Sequence, residues 1–585
     1  MIGRVTGAAR RALGAGRGPA GGRRPSDEGR GAGQSSAQDV PAPDVAEEET
    51  APLVVRHDPL PELGPAPDVL HVVAVEGIPV EYGGRTSSIL AKCRLLYEVA
   101  GVHSVVLVRN HSPFLPRAVA SMRRRGHLSE GVRVLSVLEA LPDDSAPGPA
   151  DERAGVPEEE LPSRGWVATG GSGAVYSWFE QGRLVARRRY SGGTLLLEDR
   201  FDTLRARVRR DEFAGDGRLV RSTFGDDGPG ERKQHVAFRR DGRPLFAHVL
   251  RQPDTGKGWA EDLGATTFDE TGVPDGEHES FAPVLHRALD AVTQGRDTVL
   301  SVEARSLDRE LDGYRRPHVA RCSVLHSSHL AAPGDDTSRL RPSFSRVLRS
   351  TSQDPVVFLT ARQRAEAEAH LGEQPRFRVI PHAAPAPERD RVVERDPDLV
   401  VMVGRLSDVK QTGHGVKAFA RVLKKHPGAR LEIYGDGDLR PRLQELIDRR
   451  GLTGSVRLMG FTADPQEVFR RATLCLLTSK YEGAPMILGE AMVNGCPVVS
   501  YDIRYGPSDM ITDGVNGFLV PPGDVGAVAA ATLRVLQDPG LAHELSAGCL
   551  QVVEQFGREA FVARWVHLFR ELSAQLATSH QEVLS

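Results

Sequence analysis

The sequence is poor in cysteine: Cys93, Cys322, Cys475, Cys496 and Cys549 are the only five in 585 residues, and no two form a CxxC pair. Such scatter argues against a disulfide framework or a zinc knuckle, and it fits a reducing cytoplasm. Long apolar runs are also missing. None reaches the roughly 18 residues that a membrane-spanning helix needs. Nor is there an excess of one charge, because 75 Lys and Arg face 78 Asp and Glu for a net of −3. That balance argues against a general nucleic-acid binder. The length exceeds what one hydrophobic core organises, so two or three domains are expected.

The amino end carries seven arginines against two acids over residues 1–31, and 32–65 turns acidic and rich in Pro and Ala. It lacks the continuous hydrophobic stretch of a signal peptide. Residues 1–65 therefore read as a disordered extension. A short basic helix over 1–12 touching the inner face of an anionic membrane is the alternative.

Order begins at DVLHVVAVEG, where 69–76 has strand character. A glycine-containing loop follows, then a helical stretch through SSILAKCRLLYEVAG and a strand at 104–110, an order that implies a parallel sheet. After a polar break at 141–165, the middle of the chain changes character. Short alternating stretches such as RLVARRRY and PLFAHVLRQ are separated by DG, GG and QG turns, the pattern of antiparallel hairpins. Parallel-sheet character returns at 297–304, HVARCSVL and 355–360. From 396 strands and helices alternate regularly. The expected organisation is α/β, with a first doubly wound domain over 66–164 and 256–395 interrupted by an antiparallel insertion at 165–255. A second such domain spans 396–540, and helices over 541–585 end in a frayed tail.

In doubly wound domains ligands gather at the carboxyl ends of strands and the amino ends of helices. Gly404, Arg405 and Lys410 follow the strand LVVMV, where an arginine fork and a lysine point charge suit a diphosphate. Taken alone they also suit an exposed basic loop. YGDGDLRPRL places Gly435 and Gly437 between a strand and a helix, as a nucleotide requires. Two acids on that turn, DGD, make only a weak metal site. In YEGAPMILGEAMVNG, Pro485 suits the first turn of a helix that Gly495 ends. Glu482 then lies on a strand-end loop and Glu490 inside an apolar helix, both able to face one crevice. A carboxylate that accepts two hydroxyl hydrogen bonds suits a vicinal diol. A turn glutamate plus a backbone-satisfied one is the plainer alternative.

GRLSDVK, IYGDG, YEGAPMILGEAMVNGCPVV and ITDGVNGFLVPPGD together resemble the retaining, nucleotide-sugar-dependent glycosyltransferases of family 4. Their fold is GT-B, two facing Rossmann-like domains. The resemblance is close over 396–540 and looser over 69–110 and 297–385. It implies that Arg405 and Lys410 hold the donor diphosphate, that Glu482 binds hydroxyls of the transferred sugar, and that Glu490 binds the ribose. Gly483, Ala484, Pro485 and Met486 would complete the donor loop between them, while Gly83 and Gly84 would approach the phosphates from the first domain. His326 and His329, in VLHSSHL, match a place where the family often has a histidine near the reacting sugar, and His329 is favoured. No metal and no further cofactor is implied, since positive side chains and helix termini can stabilise the departing diphosphate.

The inserted sheet and RYGPSDMI are similar to the branch that puts glucose or N-acetylglucosamine onto wall teichoic acid. By that resemblance the donor is UDP-glucose or UDP-N-acetylglucosamine, and the sheet serves a polyanionic or glycan acceptor or homo-oligomerisation. RLVARRRY, with four arginines, suits poly(glycerol phosphate). A solvated hairpin is the plainer reading. Protein serine, lipid and exopolysaccharide remain alternative acceptors, and a phosphorylase or nucleotide-sugar epimerase of the same architecture remains an alternative enzyme.

Overall fold

The computed structural model describes residues 58–79, 84–169, 174–225, 228–255, 260–333, 339–386 and 394–584. Residues 1–57 of the expected extension, and Gly83, lie outside the described residues. Positions 58–65 do not behave as a free tail. Asp58 pairs with Arg364 at 2.8 Å, and the Pro65 carbonyl accepts from Arg570 Nε at 2.9 Å.

Seven parallel strands build the first domain: β1 (Leu70–Val75), β2 (Ser104–Val108), β3 (Val132–Ser136), β14 (Thr298–Val302), β15 (Val319–Leu325), β16 (Val356–Phe358) and β17 (Phe377–Val379). Their order is β17-β16-β15-β14-β1-β2-β3, so the sheet reverses its winding between β1 and β14. The apolar runs LHVVAV and TVLSV are buried along their whole length, as strands covered on both faces must be.

Between β3 and β14 the chain makes a ten-stranded antiparallel sheet, β4 to β13, from Val167–Ala168 to Pro274–His278. Each strand pairs with its sequence neighbour, and tight turns with glycine at positive φ, such as Gly182, Gly193 and Gly242, close several of the hairpins. The sheet runs past the expected boundary at 255. Strands EDLGATTF (Glu261–Phe268) and PDGEH (Pro274–His278) are polar and only partly buried, so the alternation that marks the other strands is faint in them. The insertion is not a detached module, because Ala237, Leu245, Phe246 and Ala265 share one core with Leu70, Val72 and Leu300 of the first domain.

Six parallel strands form the second domain: β18 (Asp396–Val403), β19 (Arg430–Tyr434), β20 (Val456–Gly460), β21 (Ala472–Leu477), β22 (Val498–Tyr501) and β23 (Gly517–Val520). Their order, β20-β19-β18-β21-β22-β23, again has a switch point, between β18 and β21. Open α/β sheets present ligands outside the strand ends at such a point.

The chain then returns. Helix Arg558–Leu584 lays Phe561, Trp565, Phe569 and Leu572 against Leu95, Leu96, Val299 and Val324 of the first domain. Among the described residues no helix is long and apolar enough to cross a membrane.

Candidate donor site at the facing strand ends

The second-domain half of the site starts where β18 ends. Gly404, Gly435 and Gly437 all have positive φ, and the two loops they belong to nest closely. A Cβ on Gly435 would stand 2.0 Å from the Gly404 carbonyl oxygen, and one on Gly437 2.4 Å from that of Leu406. Only glycine fits there. Lys410 closes a short turn before helix Thr412–Val422, and its Nζ donates to Glu482 Oε1 at 2.6 Å. Ser479 Oγ donates to the same oxygen at 2.6 Å. Lys410 and Glu482, 72 positions apart, are thus brought together, while the Arg405 side chain is exposed and makes no hydrogen bond or ion pair with either.

Backbone holds Glu482 as firmly as its side chain does. Its N–H donates to the Arg504 carbonyl at 2.9 Å, and its carbonyl accepts the Tyr505 N–H at 3.0 Å. At Gly483 the loop meets the first domain, and a Cβ there would lie 2.3 Å from the His326 carbonyl oxygen. Pro485 caps helix Met486–Met492, with Ala484 packed against the first-domain core. Met486 and Glu490 line a cavity of about 470 Å³, whose walls include Ser87, Leu90 and Arg94 on helix Gly84–Ala100, residues 383–386, Gln466 and Arg558. That is the size of a small-molecule pocket. Gly84 opens the helix at φ 29° with nothing near it. No described residue donates a hydrogen bond to the Glu490 carboxylate. Burial pushes its pKa above the ordinary carboxylate value, with Lys410 pulling the other way.

The two histidines part company. His329, which the resemblance favours near the reacting sugar, is fully buried between the domains. Its ring stacks on Tyr505 at 5.8 Å, and its Nδ1 is 3.4 Å from the Tyr505 hydroxyl. Burial lowers its pKa to about 4, so it is neutral at physiological pH. His326 sits at the end of β15 beside the donor loop, with Nε2 hydrogen-bonded to Glu303. Lys92 Nζ holds the other Glu303 oxygen, and the His382 ring stacks on His326 at 5.8 Å. Burial alone would raise the Glu303 carboxyl, but Lys92 and His326 hold it well below its usual range. Burial also lowers His382 to about 3. Lys92, Glu303 and His382 were missed in the sequence because no motif joins them. The available signal was one acid and one histidine directly after neighbouring apolar strands.

The arginines of RLVARRRY are less free than their spacing suggests. Arg188 is buried and donates to Glu198 at 2.7 Å, and Arg187 lies over Phe201. Arg183 and Arg189 remain exposed, the latter over Phe114. Among the described residues no group of three His, Cys, Asp or Glu could hold a metal ion.

Residues 387–548 match the family Glycosyl transferases group 1. The chain is 39% identical over 228 residues to an exopolysaccharide phosphotransferase of Streptomyces coelicolor, covering 39% of this chain and 24% of that protein. It is 28% identical over 253 residues to the poly(glycerol-phosphate) alpha-glucosyltransferase of Bacillus subtilis, covering 43% of this chain and 37% of that protein. Both matches therefore span well under half of the relative's own length. A crystal structure of an S. aureus TarM mutant in complex with Fondaparinux, alpha-GlcNAc-glycerol and UDP superposes with a TM-score of 0.69 at 18% identity. It covers 86% of this chain and all of that one. The fold is thus that of the GT-B glycosyltransferases, with an antiparallel sheet inserted in the first domain. Within that fold, the match to Glycosyl transferases group 1 falls on the second domain.

Proposed function

We propose that this chain is a retaining glycosyltransferase of family 4 that moves glucose or N-acetylglucosamine from a UDP-sugar to the polyol phosphate of a cell-wall polymer. The observation that carries the reading is the Lys410–Glu482 pair at the strand ends of the second domain, with Lys410 also acting electrostatically on Glu490, which lines the interdomain cavity and whose carboxylate accepts no hydrogen bond from a described residue. Without a donor, Lys410 is neutralised by Glu482. A diphosphate offers Lys410 a stronger partner and leaves the Glu482 carboxylate to accept sugar hydroxyls. Glu490 then accepts from the ribose, Arg405 adds a second cation at the phosphates, and the loops at Gly404, Gly435 and Gly437 let the nucleotide approach the backbone. As the bond from the anomeric carbon to the phosphate oxygen breaks, the acceptor hydroxyl attacks from the same face. Its proton passes to the departing phosphate, and positive charge at the strand ends stabilises the leaving UDP. The names of the Bacillus relative and of the ligands bound to TarM support the polyol-phosphate acceptor and the uridine donor. The match to an exopolysaccharide phosphotransferase supports a second reading, in which the acceptor is an exopolysaccharide.

The test is donor hydrolysis across a panel of nucleotide sugars, followed by transfer to poly(glycerol phosphate) and to exopolysaccharide fragments. Lys410→Ala and Glu482→Ala should each cut turnover by about 100-fold or more, the cost of removing a transition-state charge partner. Wild-type turnover in either variant would overturn the assignment.

A further inference from the structure

Glu366 lies in the middle of helix Ala361–Leu371, in the first domain, and no motif marks it. Its carboxylate reaches across to the second domain. Arg504 Nε donates to both of its oxygens at 2.8 Å, and the Tyr505 hydroxyl donates to one at 2.8 Å. Those two residues are the ones whose backbone holds Glu482, through the Arg504 carbonyl and the Tyr505 N–H. The segment they belong to is tied to the same helix at both ends. Arg362 Nη1 donates to Asp502 at 2.7 Å. Asp509 accepts the Ala361 N–H at 2.5 Å and the Arg362 N–H at 3.3 Å, groups that the first turn of a helix otherwise leaves open. Gly506 in between is pressed on Pro485, where a Cβ would stand 2.4 Å from the proline ring.

From this chain of contacts we infer that Glu366 is a positioning residue: it fixes Glu482 relative to the first domain by gripping Arg504 and Tyr505. The inference rests on the proposed transfer reaction, in which Glu482 holds the sugar. Glu482 cannot shift relative to the first domain without breaking or dragging the forked ion pair. When the two domains separate, the contacts of Arg504 and Tyr505 to Glu366 are lost, while their backbone bonds to Glu482 stay within the second domain. Glu482 is therefore fixed relative to the first domain only when the domains meet at this helix. A misplacement of about 1 Å at such a group can cost about 100-fold in rate.

Two variants test this in the full chain, Glu366→Gln and Tyr505→Phe. Readouts are the UDP dissociation constant, and kcat and KM for hydrolysis of whichever nucleotide sugar the wild type turns over fastest. Glu366→Gln should lower kcat by about tenfold or more and raise the nucleotide-sugar KM, with UDP affinity held within about twofold. Tyr505→Phe, which keeps the ring against His329 and leaves the Arg504 pair intact, should give a smaller loss of the same kind. A general weakening of the fold would instead reduce UDP-binding sites and kcat in step, and that result overturns the inference. Wild-type kcat in both variants overturns it too, and leaves the transfer reaction standing. A wild-type chain that turns over no nucleotide sugar overturns the reaction and this inference together. Should Glu366→Gln fail to fold, unchanged kcat in Tyr505→Phe is sufficient to overturn it.

Discussion

Glu490 is costly to keep charged where it stands. Burial raises its pKa, Lys410 only partly offsets that, and no described residue donates to its carboxylate. A raised pKa in the folded chain means that the protonated form favours folding, a contribution that is lost as pH climbs through it. Ribose hydroxyls would reverse the balance, because donors to a carboxylate favour its charged form. Binding of UDP should therefore release protons in the window between the raised free pKa and the lower bound one, and affinity should rise with pH across that window. Calorimetry at a series of pH values from the ordinary glutamate range upward, in two buffers of different ionisation enthalpy, measures the release. In Glu490→Gln the proton release should vanish and UDP affinity should fall by about tenfold. If the release survives in that variant, the ribose is not held at Glu490. The placing of Glu482, Lys410 and the second-domain glycines at strand ends, and of Glu490 in an apolar helix, is legible in the sequence because they lie in short local motifs. The Lys92–Glu303–His326–His382 cluster is not, since its members come from a helix, two strand ends and the linker, and meet only in the folded domain.

At the level of elements, strands of the second domain could be read from the sequence because most are short apolar runs alternating with helices, two of which open with a side-chain cap. Asp464 and Asp524 accept from the first N–H groups of these helices. The last two strands of the insertion could not, being polar and half-exposed. Nor could the contact between helix Ala361–Leu371 and segment 502–509, whose partners are about 140 positions apart in sequence. That contact buries His329 in a neutral form, its pKa lowered to about 4. A lowered folded pKa gives stability that is present above the unfolded value near 6.5 and lost as pH falls toward 4. The melting temperature should accordingly drop over this interval. His329→Phe keeps a ring against Tyr505 and should flatten the drop, by up to about 1.4 kcal/mol per pH unit at its steepest. His111, His235 and His382, each lowered to about 3, keep part of the slope. An unaltered pH profile in His329→Phe would mean that this contact does not govern the acid sensitivity.

For the molecule as a whole, the decisive feature is that the end of the chain completes the core of its beginning. Trp565 is 2% exposed and Phe569 is fully buried, and both rings flank His71 of β1, at 6.5 and 5.1 Å. Trp565 also lies 4.4 Å beneath Lys92 Nζ, the cation that holds Glu303 and, through it, His326. A buried tryptophan cut to alanine costs about 3–5 kcal/mol, and here the loss falls on the first domain. UDP contacts proposed for Lys410 and Glu490 belong to the second domain, which has its own core around Val400, Phe419 and Leu476. Trp565→Ala should therefore lower the urea midpoint of the first unfolding step and abolish donor hydrolysis, while UDP still binds within a few-fold of its wild-type affinity. Trp565→Phe should restore most of the stability, with less recovery of turnover, because the smaller ring supports Lys92 less well. Simultaneous loss of UDP binding and of both unfolding steps would show instead that the crossing helix holds the two domains as one cooperative unit, and that the second domain cannot keep its nucleotide site alone.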